Sequence, residues 1–109
     1  MGEAEVRGME VEIIEERENP LLERKEVRFR IRHEGRTPSR KEVRELLVKE
    51  LNTSPNLLVV ESIRTEFGKR EVRGYAKVYR SEERLRSVER PHVIRKNFGS
   101  GEGHGEGED

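Results

Sequence analysis

Met9, Val11 and Ile13 alternate with Glu10 and Glu12, which is the period-two signature of a strand with one buried face. Asn19-Pro20 breaks that strand inside "ERENPLLERKE", where Leu21 and Leu22 are expected to tuck the loop back onto the core. Val27, Phe29, Ile31 and His33 then alternate with Arg28, Arg30 and Arg32, giving a second strand with one apolar and one arginine face. Gly35 to Pro38 form a turn, and Ser39 followed by Glu42 reads as a capping box, in which each side chain satisfies a free backbone donor at a helix start. Val43, Leu46, Leu47 and Leu51 fall on one helical stripe, so a helix is expected over residues 39–51. Asn52 to Asn56, with Pro55, end it. "LLVVESIRTEF" and "REVRGYAKVY" read as a hairpin of two strands turned at Gly68 and Lys69, and Ser81-Glu82-Glu83 starts a short polar helix. Pro91 precedes a last ordered stretch, "HVIRKNF", read as helical. The order strand, strand, helix, strand, strand predicts an α+β fold: a four-stranded antiparallel sheet with one main helix across one face, short C-terminal helices and a disordered tail.

With 109 residues the chain holds one domain with a small core. Residues 1–8 read as a flexible leader, 9–97 as the folded domain, and 98–109 as a disordered, acidic, glycine-rich tail that cannot bury anything. Charged residues make up 42% and apolar ones 30%, so the core must be thin. The formal net charge of zero hides an asymmetry. The tail carries Glu102, Glu106, Glu108 and Asp109 with no Lys or Arg, leaving 23 basic against 19 acidic groups in residues 1–98. Any basic patch must therefore come from arrangement more than from total charge. Arg outnumbers Lys 17 to 6; this suits bidentate phosphate contact, and equally a surface of Arg–Glu ion pairs. The absence of cysteine excludes a disulfide framework and a thiolate metal site, and fits a cytoplasmic protein. The longest apolar run, Leu57 to Val60, is four residues, too short for a membrane span.

Catalysis finds no constellation. His33, His92 and His104 have no metal-ligand spacing, and a lone His33 at a strand end is a structural side chain before it is a base. The glycines at 99, 101, 103 and 105 lack the strand and helix that aim donors at a phosphate. The chain is expected to be no enzyme and to carry no cofactor or metal.

Basic positions are more informative. Arg28, Arg30 and Arg32 share one sheet face, where they meet either nucleic acid or Glu10 and Glu12 of the neighbouring strand. Arg40, Lys41 and Arg44 crowd the first helical turns, where the helix dipole disfavours cations. Phosphate at the helix start accounts for them, as does compensation by Glu42 and Glu45. Gly74, Ala76 and Val78 suit a strand beneath the helix, the small residues letting it lie close. On the other face Tyr75, Lys77 and Tyr79 form an aromatic-basic-aromatic row, available either for stacking on bases or for packing against loops. The RNA-contact candidates are thus Arg24, Lys25, Arg40, Lys41, Arg44, Lys69, Arg70, Arg73 and Lys77, with Tyr75 and Tyr79 as stacking candidates.

The stretches "ENPLLERKE", "RTPSRKEVRELL" and "RTEFGKREVRGYAKVYRSEERL" closely resemble the small-ribosomal-subunit protein family of archaea and eukaryotes numbered twenty-four, and the likeness runs from Met9 to Lys96. Phe67-Gly68 followed by Gly74-Tyr75-Ala76-Lys77-Val78-Tyr79 is similar to the family's signature stretch. The resemblance implies a structural ribosomal protein, monomeric when free, that acts in translation, binds ribosomal RNA of the small subunit and neighbouring ribosomal proteins, and needs neither catalysis nor membrane. Length and short tail look like the archaeal branch, while the acidic end departs from the basic extensions of eukaryotic members. A protein-interaction module docking a partner through its sheet face or edge strand is the alternative reading of the same residues.

Overall fold

The computed structural model describes residues 3–6, 8–66 and 68–99. Its strands are β1 (Glu3–Val6), β2 (Met9–Asn19), β3 (Arg24–His33), β4 (Leu58–Glu66) and β5 (Glu71–Tyr79); its helices are α1 (Arg40–Leu51), α2 (Glu82–Val88) and α3 (Pro91–Phe98). All strands pair antiparallel in one sheet of order β1-β2-β3-β5-β4. The four expected strands and the main helix are present. β1 is an addition: Glu3–Val6, expected to be part of a flexible leader, pairs with residues 9–12 of β2. Gly8 makes the connection possible with a φ of 77°, a left-handed conformation that costs glycine little. Phe98, expected to open the disordered tail, instead ends α3 and packs against the Val59, Tyr79 and Leu85 cluster, while the acidic tail beyond Gly99 lies outside the described residues.

α1 starts as the sequence predicts. Ser39 Oγ accepts the Glu42 backbone N–H, and Glu42 Oε1 accepts the Ser39 N–H at 2.9 Å. At the other end Asn52 adopts φ 54° and donates its N–H to Lys49 O, closing the helix in a left-handed cap. The apolar stripe of α1, Val43, Leu46 and Leu47, packs on Met9, Val11, Phe29, Ile31, Leu58, Val60, Val72 and Ala76 from the sheet. Gly74 sits in this layer, but its small size does not serve the helix: an added Cβ would stand 2.4 Å from the Phe29 ring and 2.4 Å from Ser62 O. The glycine is required because its cross-strand partner Phe29 lies over it.

The opposite sheet face carries a second core that periodicity does not reveal. Val59, Tyr79 and Leu85 are buried with Val88, Val93, Ile94 and Phe98, so α2 and α3 cover one end of that face. Asn97 of α3 clamps the outer edge of β4: its side chain accepts the Val60 N–H at 2.7 Å and donates to Val60 O at 3.0 Å. A side-chain amide thus stands in for the missing neighbouring strand. Bulges at Ile13/Glu15 and Val60/Ser62 reset the alternation in β2 and β4. Leu21 does not return to the core. It lies at the tip of the tight turn joining β2 and β3, 86% exposed, because Asn19 Oδ1 accepts the Leu22 N–H and fixes the turn pointing outward.

Candidate nucleic-acid interface

Register decides which side chains share the open part of the sheet. Arg30 pairs with Arg73, and Arg73 with Arg64, so three arginines stand side by side across β3, β5 and β4. The adjacent row is Arg28, Tyr75 and Ser62, with the Arg28 guanidinium 5.7 Å from the centre of the Tyr75 ring. Like charges abreast destabilise a sheet by several tenths of a kcal/mol per pair. The arginine comb of β3 is largely answered by β2: Arg30 binds Glu12, Arg28 lies 3.4 Å from Glu15, and Arg32 lies 3.7 Å from Glu10. The Glu12 carboxyl is held below its usual range, chiefly by the hydrogen bond from Arg30. Arg73 lies 3.3 Å from its own strand's Glu71 and, among the described residues, has no other carboxylate within ion-pair distance. Arg64 is exposed and has no carboxylate within ion-pair distance among the described residues.

The hairpin end continues this patch. Gly68 takes φ 76° and Arg70 φ 50°, so the turn leaves Lys69 and Arg70 exposed at its tip. Arg70 is steadied from β3: its O accepts the His33 N–H at 3.0 Å and its guanidinium donates to Glu34 O at 2.8 Å. Lys69 has no ion partner among the described residues. Lys25, on β3, is half-buried and 3.9 Å from Glu16.

Four other candidates are committed inside the protein. Tyr79 is 1% exposed; its hydroxyl donates to Glu89 at 2.5 Å and accepts from Arg24 at 2.8 Å. Burial first, and then the bond to Glu89, push its ionisation well above the usual range. It cannot stack on a base. Lys77, 6% exposed, sits 2.6 Å from Glu61 and 2.7 Å from Glu89, so it neutralises a buried carboxylate and not a phosphate. Arg24 is tied to Tyr79 and to Glu26, 2.9 Å away. Arg44, 9% exposed, donates to Leu58 O at 2.5 Å, Pro55 O at 2.6 Å and Asn97 Oδ1 at 3.1 Å, with Phe98 4.6 Å beneath its guanidinium. Burial, aided by the charge of Arg40, pushes it down to about 10. The physical reason is common to all four: long cationic and phenolic side chains bury their stems and find acceptors that the fold brings within reach, most of them on other elements.

The start of α1 is likewise filled from within. Glu42 supplies the anion that a helix start attracts, and Arg36 binds that carboxylate at 2.8 Å. Arg40 donates to Val60 O at 2.7 Å. Lys41 alone of the three basic residues at the helix start stays exposed without an ion pair among the described residues.

The basic residues of α3 are not among the RNA-contact candidates that the sequence offers. Val93, Ile94, Asn97 and Phe98 face the body, whereas His92, Arg95 and Lys96 lie exposed on the opposite stripe, with Arg90 exposed at the N-cap. The pattern that would have found them is the i, i+3, i+4 spacing of His92, Arg95 and Lys96.

The model of the family described as Ribosomal protein S24e matches residues 9–98. A small ribosomal subunit protein eS24 of Methanocaldococcus jannaschii is 52% identical over 89 residues, covering 82% of this chain and 88% of that relative. The eS24 protein of Methanothermobacter thermautotrophicus is 51% identical over 90 residues, covering 82% and 90%. That of Haloarcula marismortui is 43% identical over 101 residues, covering 93% and 99%. With the match spanning β2 to β5 and all three helices, the chain belongs to the ribosomal protein S24e family.

Proposed function

We propose that this protein is a structural constituent of the small ribosomal subunit in the cytoplasm. In this reading it acts in translation as an archaeal-type, non-enzymatic member of its family, monomeric when free, and meets ribosomal RNA with the β4–β5 hairpin end and the adjoining open sheet. Arg64, Lys69, Arg70 and Arg73 are the phosphate contacts and Tyr75 offers a ring for a base; Lys41, exposed at the start of α1, is a further phosphate contact, and Lys25, paired with Val78 at the other end of β3, lies away from the hairpin end. The observation that carries the reading is the row Arg30–Arg73–Arg64, in which Arg64 has no acidic partner among the described residues. Side-by-side guanidinium groups are costly in the free protein and are relieved by a polyanion. Contacts of this kind position RNA and do not read its sequence. The exposed Leu21 and Ile14 lie away from this patch on β2 and its turn and suit neighbouring ribosomal proteins.

The test is binding of full-length small-subunit ribosomal RNA by the variant Arg64→Ala with Lys69→Ala across a salt series. Removing two phosphate contacts makes the slope of log affinity against log salt shallower by about 1.4–1.8. An unchanged slope and affinity, with the variant still co-sedimenting normally with small subunits, would sink the reading.

A further inference from the structure

The basic side chains at and on α3 have no use inside the protein. Arg90, His92, Arg95 and Lys96 are exposed, and among the described residues none has a carboxylate within ion-pair distance. No acidic residue occurs between Arg90 and Gly99, and Glu89, just before, is turned inward onto Lys77 and Tyr79. The helix dipole accounts for Arg95 and Lys96 in the last turn, but it disfavours Arg90 at the first. α3 is also held rigidly. Asn97 is bonded to both Val60 backbone groups and to the Arg44 guanidinium, and Phe98 lies against Arg44. The fold therefore anchors one stripe of α3 and presents the other as a fixed basic ridge.

The ridge stands apart from the hairpin-end patch. α3 docks at Val60, near the start of β4, whereas Arg64, Lys69 and Arg70 lie toward its far end and the turn beyond. At about 3.3 Å per strand residue, the six steps from Val60 to Glu66 put the α3 anchor and the hairpin tip roughly 20 Å apart. This exceeds the Debye length of about 8 Å at physiological salt, so the charges of the two patches act independently of one another.

From this we infer that α3 is a second RNA-phosphate surface, and that the protein is a clamp joining two segments of ribosomal RNA, one on the α3 ridge and one on the hairpin end. The inference rests on the reading of the hairpin end as an RNA contact. Phosphate on one strand satisfies each ridge cation without base recognition. The other source of negative charge is the chain itself, whose sequence past Gly99 carries Glu102, Glu106, Glu108 and Asp109.

The experiment uses full-length protein and small-subunit ribosomal RNA, with three variants and their combinations: Arg95→Ala with Lys96→Ala on the ridge, Arg64→Ala with Lys69→Ala on the hairpin, and a tail with all four carboxylates changed to amides. The ridge variant is expected to melt like the parent, because both side chains point to solvent. It is expected to bind RNA roughly tenfold more weakly at 0.1 M salt, with a salt slope shallower by about 1.4–1.8, and the hairpin effect is expected to add to it. Backbone footprinting should show two protected segments, each lost with its own variant. A ridge variant that binds like the parent in both tail backgrounds overturns the inference, as does one protected segment that weakens equally in both variants. An effect of the ridge variant only when the tail is neutralised also overturns it, by making the tail the occupant of α3. Loss in the ridge variant with none in the hairpin variant refutes the hairpin reading and the clamp with it, leaving α3 as a single RNA surface; the converse refutes the ridge and the clamp and leaves the hairpin reading standing.

Discussion

Arg44 and Lys41 lie three residues apart on α1, and replacing each by alanine should have opposite consequences. Arg44→Ala leaves Leu58 O and Pro55 O without the guanidinium that satisfies them, frees one lone pair of Asn97, and removes the cation from Phe98. Hydrogen bonds from a charged donor contribute about 1.5–3 kcal/mol each, and an orphaned buried acceptor costs about 1–3 kcal/mol. The burial that pushes the guanidinium down to about 10 works the other way, since the alanine no longer holds a charge out of water. The net loss is about 3 kcal/mol. For a domain of this size one kcal/mol corresponds to about 4–8 °C, so the midpoint of thermal unfolding should fall on the order of 15 °C. Lys41 is exposed, and Lys41→Ala should leave the melting point within about 0.5 kcal/mol of the parent. In RNA binding the roles reverse: Lys41→Ala makes the salt slope shallower by about 0.7–0.9, whereas Arg44→Ala, measured well below its own melting temperature, leaves the slope unchanged. A stable Arg44→Ala protein with a shallower slope would show that Arg44 reaches phosphate, and would refute its assignment as the strut between α1, β4 and α3.

Gly74→Ala should destabilise by about 1–3 kcal/mol, since the new methyl group must displace the Phe29 ring and the Ser62 carbonyl; an unchanged urea midpoint would contradict the packing described. The Glu42 carboxyl is held below its usual range by the Ser39 N–H and then by Arg36. A depressed carboxylate contributes stability above its unfolded value that is lost as pH falls through the folded one. Acid melts should therefore steepen below about pH 4.3, and Glu42→Gln should remove part of that dependence. Both tyrosines are raised, Tyr75 chiefly by burial and Tyr79 by burial and Glu89. The folded state thus favours the neutral phenols, and stability is lost as pH rises above the ordinary value of about 10. Phenolate absorbance should lag behind that of free tyrosine, and Tyr79→Phe should abolish the later step; ionisation of both groups near 10 in folded protein would refute the burial of Tyr79.

Local pattern within a few residues determined much of this protein. The alternation of Met9–Ile13 and Val27–His33 set strands and faces, Ser39 with Glu42 set the helix start, and Asn19-Pro20 and Gly68 set the turns, because each depends on neighbours that chain geometry brings together unaided. Tertiary structure decided which cations are free. Arg44 finds Asn97, Arg24 finds Tyr79, and Lys77 lies between Glu61 and Glu89, partners that only the folded sheet and α2–α3 bring within reach. The same holds for the arginine row: a bulge of one residue at Val60/Ser62 sets whether Arg64 stands beside Arg73, and no periodicity in β4 announces it. The sequence thus told that arginines are many and patterned, while the fold sorted them into struts, ion pairs and exposed contacts. A cation's role depends on the acceptor it meets, and that acceptor is set by register and packing across the whole chain.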